Sequence, residues 1–439
     1  MLAPKTVLAP KTAPAPTTAP AAQPRRTFGS LRTRNYRLFA TGQVISNTGS
    51  WMQRVAQDWL VLELTHGSGW ALGVTTGLQF LPLLLLSLWG GVIADRYPKR
   101  SILIATQALM GALALLLGLL ALTGVVALWH VYALAFALGL VTVIDNPARQ
   151  AFAVEMVGRA SMANAIALNS AVFNLARIIG PAVAGLVIAA AGTPAAFLIN
   201  AASYGAVLVS LKMMRPGELN PVAPVHRASG QLRAGLAFVR ARPRLWLPLT
   251  LIFFVSTFGM NFQVTTALMS REVFRTGAGE FGIASAVFAV GALGGALLAA
   301  RRGRPTLRLL VLTSFAFSVF EILTGLMPTF WTFVIMLVPT GLTLLTMTTA
   351  ANSTIQLGTT PEMRGRVMGL YMLVFLGGTP IGSPLAGWAA QQFGPRIALI
   401  SGGVISVAAT VAVGLLLARR SGRQIRTFVR PATLIRALA

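Results

Sequence analysis

The residues best able to do chemistry in this chain are two arginines and an aspartate, Arg54, Asp58 and Arg177, because each lies within a long apolar run. Placing an ionisable side chain at the centre of such a run in hydrocarbon costs about 2.5–3.5 kcal/mol, so one kept there is expected to have a partner or a task. Arg54 and Asp58 are four residues apart, one helical turn, and can pair. Gln43 and Asn47 precede them at helical spacing, so the four form one polar stripe. Ser170, Asn174 and Arg177 form a second polar face that rises toward Gly180-Pro181. Such a set could exchange a proton at Asp58, whose proton affinity is set by burial and by Arg54. Two arginines would also favour an anion or a ligand rich in carbonyl acceptors. The competing reading is an Arg54–Asp58 pair that only neutralises itself. Glu321, the one acid inside an apolar run of the second half, reads as a packing or snorkelling residue. Thr343, Thr346, Thr348 and Thr349 could bind a ligand, although such hydroxyls more often bond back to their own helix.

These residues must be positioned by membrane-spanning helices. Of 439 residues 55% are hydrophobic and only 10% charged, and the mean hydropathy is +0.72. Soluble domains are about a quarter charged. The apolar runs are about twenty residues long, the length that crosses a hydrocarbon core as a helix, and they lack the period-two alternation of a barrel. Spans are expected at 38–62, 70–94, 101–124, 128–146, 164–191, 195–213, 245–268, 280–300, 307–327, 330–351, 366–391 and 395–418. The fold class is therefore an all-α polytopic membrane protein of twelve transmembrane helices. Residues 1–34 read as a disordered Pro/Ala/Thr-rich cytoplasmic tail rather than a signal peptide. Residues 35–213 and 245–418 read as two six-helix bundles, and 419–439 as a basic cytoplasmic tail. Between the bundles, 214–244 is either an unstructured basic linker or a short helix on the membrane surface, with Leu232, Leu236 and Val239 at helical spacing.

The net charge of +26 raises nucleic-acid binding, but its distribution gives another explanation. Of the 36 Lys and Arg, Arg54 and Arg177 lie in spans and only Arg271, Arg275 and Arg396 on outer connections if the N-terminus is inside. The rest fall on cytoplasmic segments, so the positive-inside rule places both termini in the cytoplasm of a cell membrane. No nucleic-acid partner is expected. The chain has no cysteine, and His66, His130 and His226 are scattered, so no metal site and no cofactor are expected. There is no Walker A loop to bind ATP. Nor is there a set of residues for an enzyme: Asp145 and Glu155 flank a connection, with Arg149 between them, and read as interface charges.

The second half echoes the first at an offset of about 200–210 residues. Ser46-Asn47-Thr48-Gly49 with Gln53 returns as Ser256-Thr257-Phe258-Gly259 with Gln263. Gly90-Gly91 returns as Gly294-Gly295, and Pro181 to Gly185 followed by Gly192 returns as Pro384 to Gly387 followed by Gly394. Parallel six-helix repeats imply two bundles about an axis normal to the membrane, with a site between them and alternating access by rocking.

The connection after the second span reads Gly91-Val92-Ile93-Ala94-Asp95-Arg96-Tyr97-Pro98-Lys99-Arg100. It resembles the cytoplasmic signature of the major facilitator superfamily, with Pro98 where the pattern has Gly. In this reading Gly91 permits close helix approach, Asp95 faces a helix N-terminus, and Arg96, Lys99 and Arg100 pair with acids across the bundle interface in one conformation and not the other; Asp145 and Arg149 are grouped with the same conformational switch. The second half has Ala300-Arg301-Arg302-Gly303-Arg304 there and lacks the acid. In the fifth span Ala167, Ala176, Gly180-Pro181 and Ala184-Gly185 resemble the antiporter motif of that superfamily, with Ala for Gly at three positions. Small residues at this spacing suit close packing, and Pro181 a bend. The stretches 145–152, 164–170 and 361–371 resemble the enterobactin-exporter-like and macrolide-efflux-like branch, the transmembrane secretion effector family. The resemblance covers about residues 30–418. It implies efflux of a siderophore, macrolide or other amphipathic small molecule, driven by a coupling proton, through a monomer in the lipid bilayer. An importer of the same fold, or a non-transporting sensor, is the alternative. One departure is Ala135, four residues before Gly139, where many exporters of the superfamily carry an arginine.

Overall fold

The computed structural model describes residues 29–220, 231–302 and 305–420, and there the chain is a bundle of long helices. The helices are α1 (Arg34–Leu64), α2 (Gly69–Arg96), α3 (Lys99–Leu122), α4 (Leu128–Met213), α5 (Gln231–Arg240), α6 (Pro243–Phe254) and α7 (Phe262–Leu268). They continue with α8 (Ala278–Arg301), α9 (Leu307–Leu326), α10 (Phe330–Leu357), α11 (Pro361–Phe393) and α12 (Pro395–Arg420). Ten segments among the described residues are long and apolar enough to cross a membrane. The chain is thus a multi-pass membrane protein. α1 falls outside that set because Gln43, Asn47, Arg54 and Asp58 dilute its hydropathy.

The long α4 is continuous only in its hydrogen bonding. Gly158 (φ 69°) and Gly192 (φ 75°) leave helical geometry, in a region of φ that residues with a Cβ avoid. They divide it at the two places where the apolar runs are interrupted. The segment expected between the halves includes the short helix α5, which packs on α11; residues 221–230 lie outside the described residues. Span seven is broken: α6 passes into a π-helical turn at Val255–Gly259, and Met260 and Asn261 are non-helical before α7 begins. Helix starts are fixed by side-chain caps worth about 1 kcal/mol each. Ser68 accepts from Ala71 N–H at 3.2 Å, and Thr306 from Leu309 N–H at 3.2 Å.

The tail expected through residue 34 ends sooner. Gly29–Arg32 is a 3-10 turn held by Ser30 N–H on Asn164 Oδ1 at 2.9 Å, and α1 starts at Arg34. Most of the two expected tails, 1–28 and 421–439, lies outside the described residues.

Packing separates the chain into two groups of helices, α1–α4 and α6–α12, that meet along α2 against α11 and α4 against α8. One apolar core, built on Tyr36, Phe39, Phe152 and Leu211, contains only first-half residues. Another, on Leu251, Phe317, Phe333 and Tyr371, contains only second-half residues. A third crosses over: Met52, Ala56, Trp59 and Leu72 pack with Val264, Leu268, Phe281 and Ala390. All its members lie toward one end of the molecule, where Gly69 and Gly73 abut Gly387 and Ser383 so closely that a methyl group would collide with backbone. At the other end Gly365 and Gly369 of α11 have open space over them. Gly69, Gly73 and their partners Gly387 and Ser383 thus fasten the halves at the first of these ends.

Candidate functional site

Between the two halves lies a cavity of about 330 Å3. Arg54, Asp58, Arg177 and Pro181 line it from the first half, and Gln263, Phe262, Phe281, Phe288 and Phe375 from the second. It is apolar and aromatic apart from a few converging polar groups, the usual character of a small-molecule site.

Asp58 is 1% exposed, and its Oδ2 accepts a 2.8 Å hydrogen bond from Gln263 Nε2 of α7. Its Oδ1 is buried without a partner. The expected Arg54–Asp58 pair is not made. Arg54 instead lies over the rings of Trp51, 4.8 Å to the centroid, and Phe80, 5.8 Å. The aromatic faces attract the guanidinium by about 0.5–2 kcal/mol, and the turn between Arg54 and Asp58 leaves each with a different neighbour. Arg177 brings buried Nε and Nη2 atoms with no hydrogen-bond partner to the same cavity. The site therefore offers two guanidinium groups and a carboxyl with spare bonding capacity.

Gln43 and Asn47 are engaged elsewhere. Their side-chain oxygens accept from Arg149 Nη1 at 2.8 and 3.2 Å. Arg149 Nη2 also binds Asp145 Oδ2, and Asp145 Oδ1 accepts from Thr106 Oγ1 and Gln107 Nε2, both at 2.8 Å. Asp145 and Arg149 thus belong to α4 and not to a connecting loop, because the helix runs on through Pro147 to Gly158. A second, smaller chamber of about 110 Å3 adjoins this network, and Trp51 and Arg54 belong to the linings of both chambers. Asn174 turns back on its own helix, Nδ2 to Ser170 O at 2.8 Å.

The connection after α2 makes contacts within its own half. Lys99 Nζ is 3.4 Å from Glu155 Oε1, and Arg100 donates to Leu211 O and Lys212 O at 2.9 and 3.2 Å. Gly91 is buried and Asp95 half-buried, whereas Arg96 is exposed. Gly180 packs on Thr48 and Trp51 of α1. Pro181 and Gly185 pack on Gly282 and Gly279 of α8, so this motif forms part of the seam between the halves. Ala135 is fully buried, and Gly139 lies against the Gln79 backbone of α2. The span-ten threonines mostly bond to their own helix, as Thr343 does to Pro339 O and Thr346 to Leu342 O, each at 2.7 Å. Glu321 does not snorkel: it is 3% exposed.

Sequence reasoning passed over Ser50, Asn200 and Tyr204 and met Gln53 only in the repeat; these four join α1 to the last part of α4. Asn200 Nδ2 donates to Gln53 Oε1, and Ser50 and Tyr204 share a hydrogen bond of 3.1 Å. Gln263 entered only as the echo of Gln53. The signal was available, since each is an amide or hydroxyl within an apolar run.

The described helices form two packed groups around a shared cavity. The fold is that of solved transporters: a bacterial homologue of human Spinster in an inward-facing, unoccupied state aligns with TM-score 0.66 over 87% of this chain and 95% of that one, at 15% identity. A POT family transporter in complex with a thioalcohol-conjugated peptide aligns with TM-score 0.70 over 90% and 99%, at 14% identity. The profile of the transmembrane secretion effector family matches residues 25–426, and the chain belongs to that family. Its relatives include the enterobactin exporter of Shigella flexneri, 27% identical over 76% of this chain and 79% of that protein. The macrolide efflux protein A of Streptococcus pyogenes is 24% identical over 84% and 92%. The staphyloferrin A transporter of Staphylococcus aureus is 31% identical over 38% of this chain and 42% of that protein.

Proposed function

We propose that this chain is a proton-coupled exporter of a small amphipathic compound, of the siderophore or macrolide kind, working as a monomer by alternating access. The observation that carries the reading is the cavity between the halves, where Arg54, Arg177 and Asp58 meet an aromatic wall. The relatives named above lend it their direction and their class of cargo. The proposed topology has twelve spans in two six-helix halves. It adds α1 to the ten apolar segments and divides Asn164–Met213 at Gly192. The repeated Gln53 and Gln263 support a two-fold relation between the halves. With the basic connections inside, both termini lie in the cytoplasm. The fastened end then faces outward and the cavity inward, ready to receive cargo from the cytoplasm.

In this reading the two arginines hold carboxylate, phenolate or carbonyl oxygens of the cargo, and the aromatic rings its apolar body. Asp58 gives up a proton as cargo is taken up or released. The residues of the connection after α2, Gly91 and Asp95 to Arg100, with Asp145 and Arg149, brace the first half as it rocks.

Inside-out vesicles with an acidified interior test the reading. A panel of catechol siderophores, macrolides and lipophilic cations is added while a dye reports internal pH. One compound is expected to collapse the gradient in wild-type vesicles and neither in Asp58→Asn nor in empty-vector vesicles. Cargo accumulation without any proton movement would remove the proton from the proposal.

A further inference from the structure

Glu321 of α9 has no role in the cavity between the halves, yet it is the most isolated acid among the described residues. It is 3% exposed, and neither oxygen forms a hydrogen bond or ion pair; Oε2 is fully enclosed. Space has been cleared for it by glycines of two other helices. A methyl on Gly259, in the π-helical turn of span seven, would lie 2.8 Å from Glu321 Oε2 and 2.8 Å from Ser406 Oγ of α12. A methyl on Gly402 of α12 would lie 2.9 Å from Glu321 Oε1. The Ser406 hydroxyl is itself fully buried and without a partner. Two unsatisfied polar groups therefore crowd the bare Cα of Gly259, with no room there for a methyl group. Each would be a cost to the fold if it served packing alone.

No cation balances the carboxyl. Of the elements packed on α9, α10 and Val255–Gly259 contain no ionisable residue, and those of α12 are arginines at its ends, 396, 419 and 420. Arg396 is spent on the carbonyls of Gly325 and Met327, at 3.0 and 2.6 Å. Arg308, on α9 itself, is thirteen residues away, about 20 Å along the helix. An uncompensated carboxylate is not tolerated in such surroundings, whereas a carboxylic acid is.

We propose that Glu321, packed with Ser406 against the bare Cα atoms of Gly259 and Gly402, is a second proton-binding site in this protein, linked to Asp58 through the break in span seven. The link is short. Gly259 contacts Glu321, Gln263 four residues on bonds Asp58, and the non-helical Met260 and Asn261 lie between them. Such breaks in membrane helices are where ions are held and where helices hinge. A proton leaving Glu321 creates a charge against Gly259. The segment answers by rearranging at Met260–Asn261, which moves Gln263 relative to Asp58.

Its part in transport rests on the proposed proton coupling; the protonation itself does not, so its test needs neither cargo nor flux. Membranes are treated with dicyclohexylcarbodiimide, which modifies protonated carboxyls in apolar surroundings, over a series of pH values, and peptides are mapped by mass spectrometry. Labelling of Glu321 is expected, falling as the pH is raised, unchanged by sodium chloride against choline chloride, and reduced in Gly259→Ala, whose methyl crowds the carboxyl. In parallel, the infrared spectrum of purified wild type is expected to contain a protonated-carboxyl band that is missing from a Glu321→Gln variant with the same size-exclusion profile. Absence of that band overturns the proposal, whatever the labelling. Protection by sodium alone makes this a sodium site and overturns the proton assignment.

Discussion

Asp58 of α1 and Gln263 of α7, 205 residues apart, are joined by a 2.8 Å hydrogen bond across the interface between the two halves. Gln53, the first-half counterpart of Gln263 in the repeat, stays within its own half on Asn200. The bond is the one polar partner Asp58 has, since Oδ1 is unpaired and Arg54 has turned to Trp51 and Phe80. Gln263→Ala is expected to leave the buried carboxyl without any partner and to lower stability by about 1–3 kcal/mol. Thermal unfolding in detergent is the measurement. Asp58→Asn keeps an acceptor oxygen and is expected to shift the midpoint less. Identical midpoints for wild type and Gln263→Ala would mean the bond is not used.

Arg177 presents two buried N–H groups with no acceptor to the cavity. Cargo oxygens are the natural acceptors, since a charged group left unsatisfied costs more than a neutral one. Arg177→Ala is expected to lower transport about ten-fold or more, the equivalent of one charge-assisted bond of about 1.5–3 kcal/mol, with surface expression unchanged. Arg177→Lys keeps the charge but loses the planar fork and is expected to fall between the two. Transport assays normalised to protein in the membrane decide it. Wild-type rates in Arg177→Ala would exclude this residue from cargo binding.

The Asp145–Arg149 pair predicts a different pattern. Asp145 is fully buried and accepts from Thr106, Gln107 and Arg149. Removing one partner of a buried ion pair costs about 3–5 kcal/mol, whereas replacing both with apolar residues of similar size can be nearly neutral. Asp145→Leu alone is expected to lose most folded protein in fluorescence-detected size exclusion. Asp145→Leu with Arg149→Met is expected to recover much of it. Recovery of folding without recovery of transport would assign the network a part in the transport cycle as well as in the fold.

The helices were legible because lipid imposes one rule, that apolar runs of about twenty residues become helices. Even the break at Gly192 is marked in the sequence by Gly192-Thr193-Pro194. The charges at Arg54, Asp58 and Arg177 were legible for the same reason, as exceptions within those runs, and the structure does bring them to one cavity. Spacing alone misled where the neighbour came from another helix. Gln43 and Asn47 share a face with Asp58, yet Arg149 of α4 captures them. Asp145 and Glu155, with Arg149 between them, read as interface charges flanking a connection, but the helix continues through Pro147 to Gly158. Glu321 looked like a residue that would reach for water. Its burial depends on glycines at 259 and 402, 62 residues before it and 81 after it, a contact no local pattern reveals.

The fastened end of the interface supplies a test of the rocking motion. Ser68 Oγ, at the start of α2, donates to Gln391 Oε1 of α11 at 2.8 Å, and Trp70 N–H donates to the same oxygen at 3.0 Å. Beneath them Gly69 and Gly387 pack backbone to backbone. If the halves rock, this contact must open in every cycle. The chain contains no cysteine, so a Ser68→Cys, Gln391→Cys variant has no competing thiols. A short bis-methanethiosulfonate reagent, which links two thiols through reducible disulfides, is expected to join the two positions, since Gln391 reaches Ser68 only by its amide tip and a direct disulfide needs Cβ atoms about 3.5–4.5 Å apart. The cross-link, read by mass spectrometry of the linked peptides, is expected to stop transport, and a reductant to restore it, with both single variants transporting throughout. Reduction restoring activity separates a locked conformation from damage to the fold. Undiminished transport by fully cross-linked protein would show that cargo crosses without separation of α2 from α11 at this end, and would require a route other than rocking.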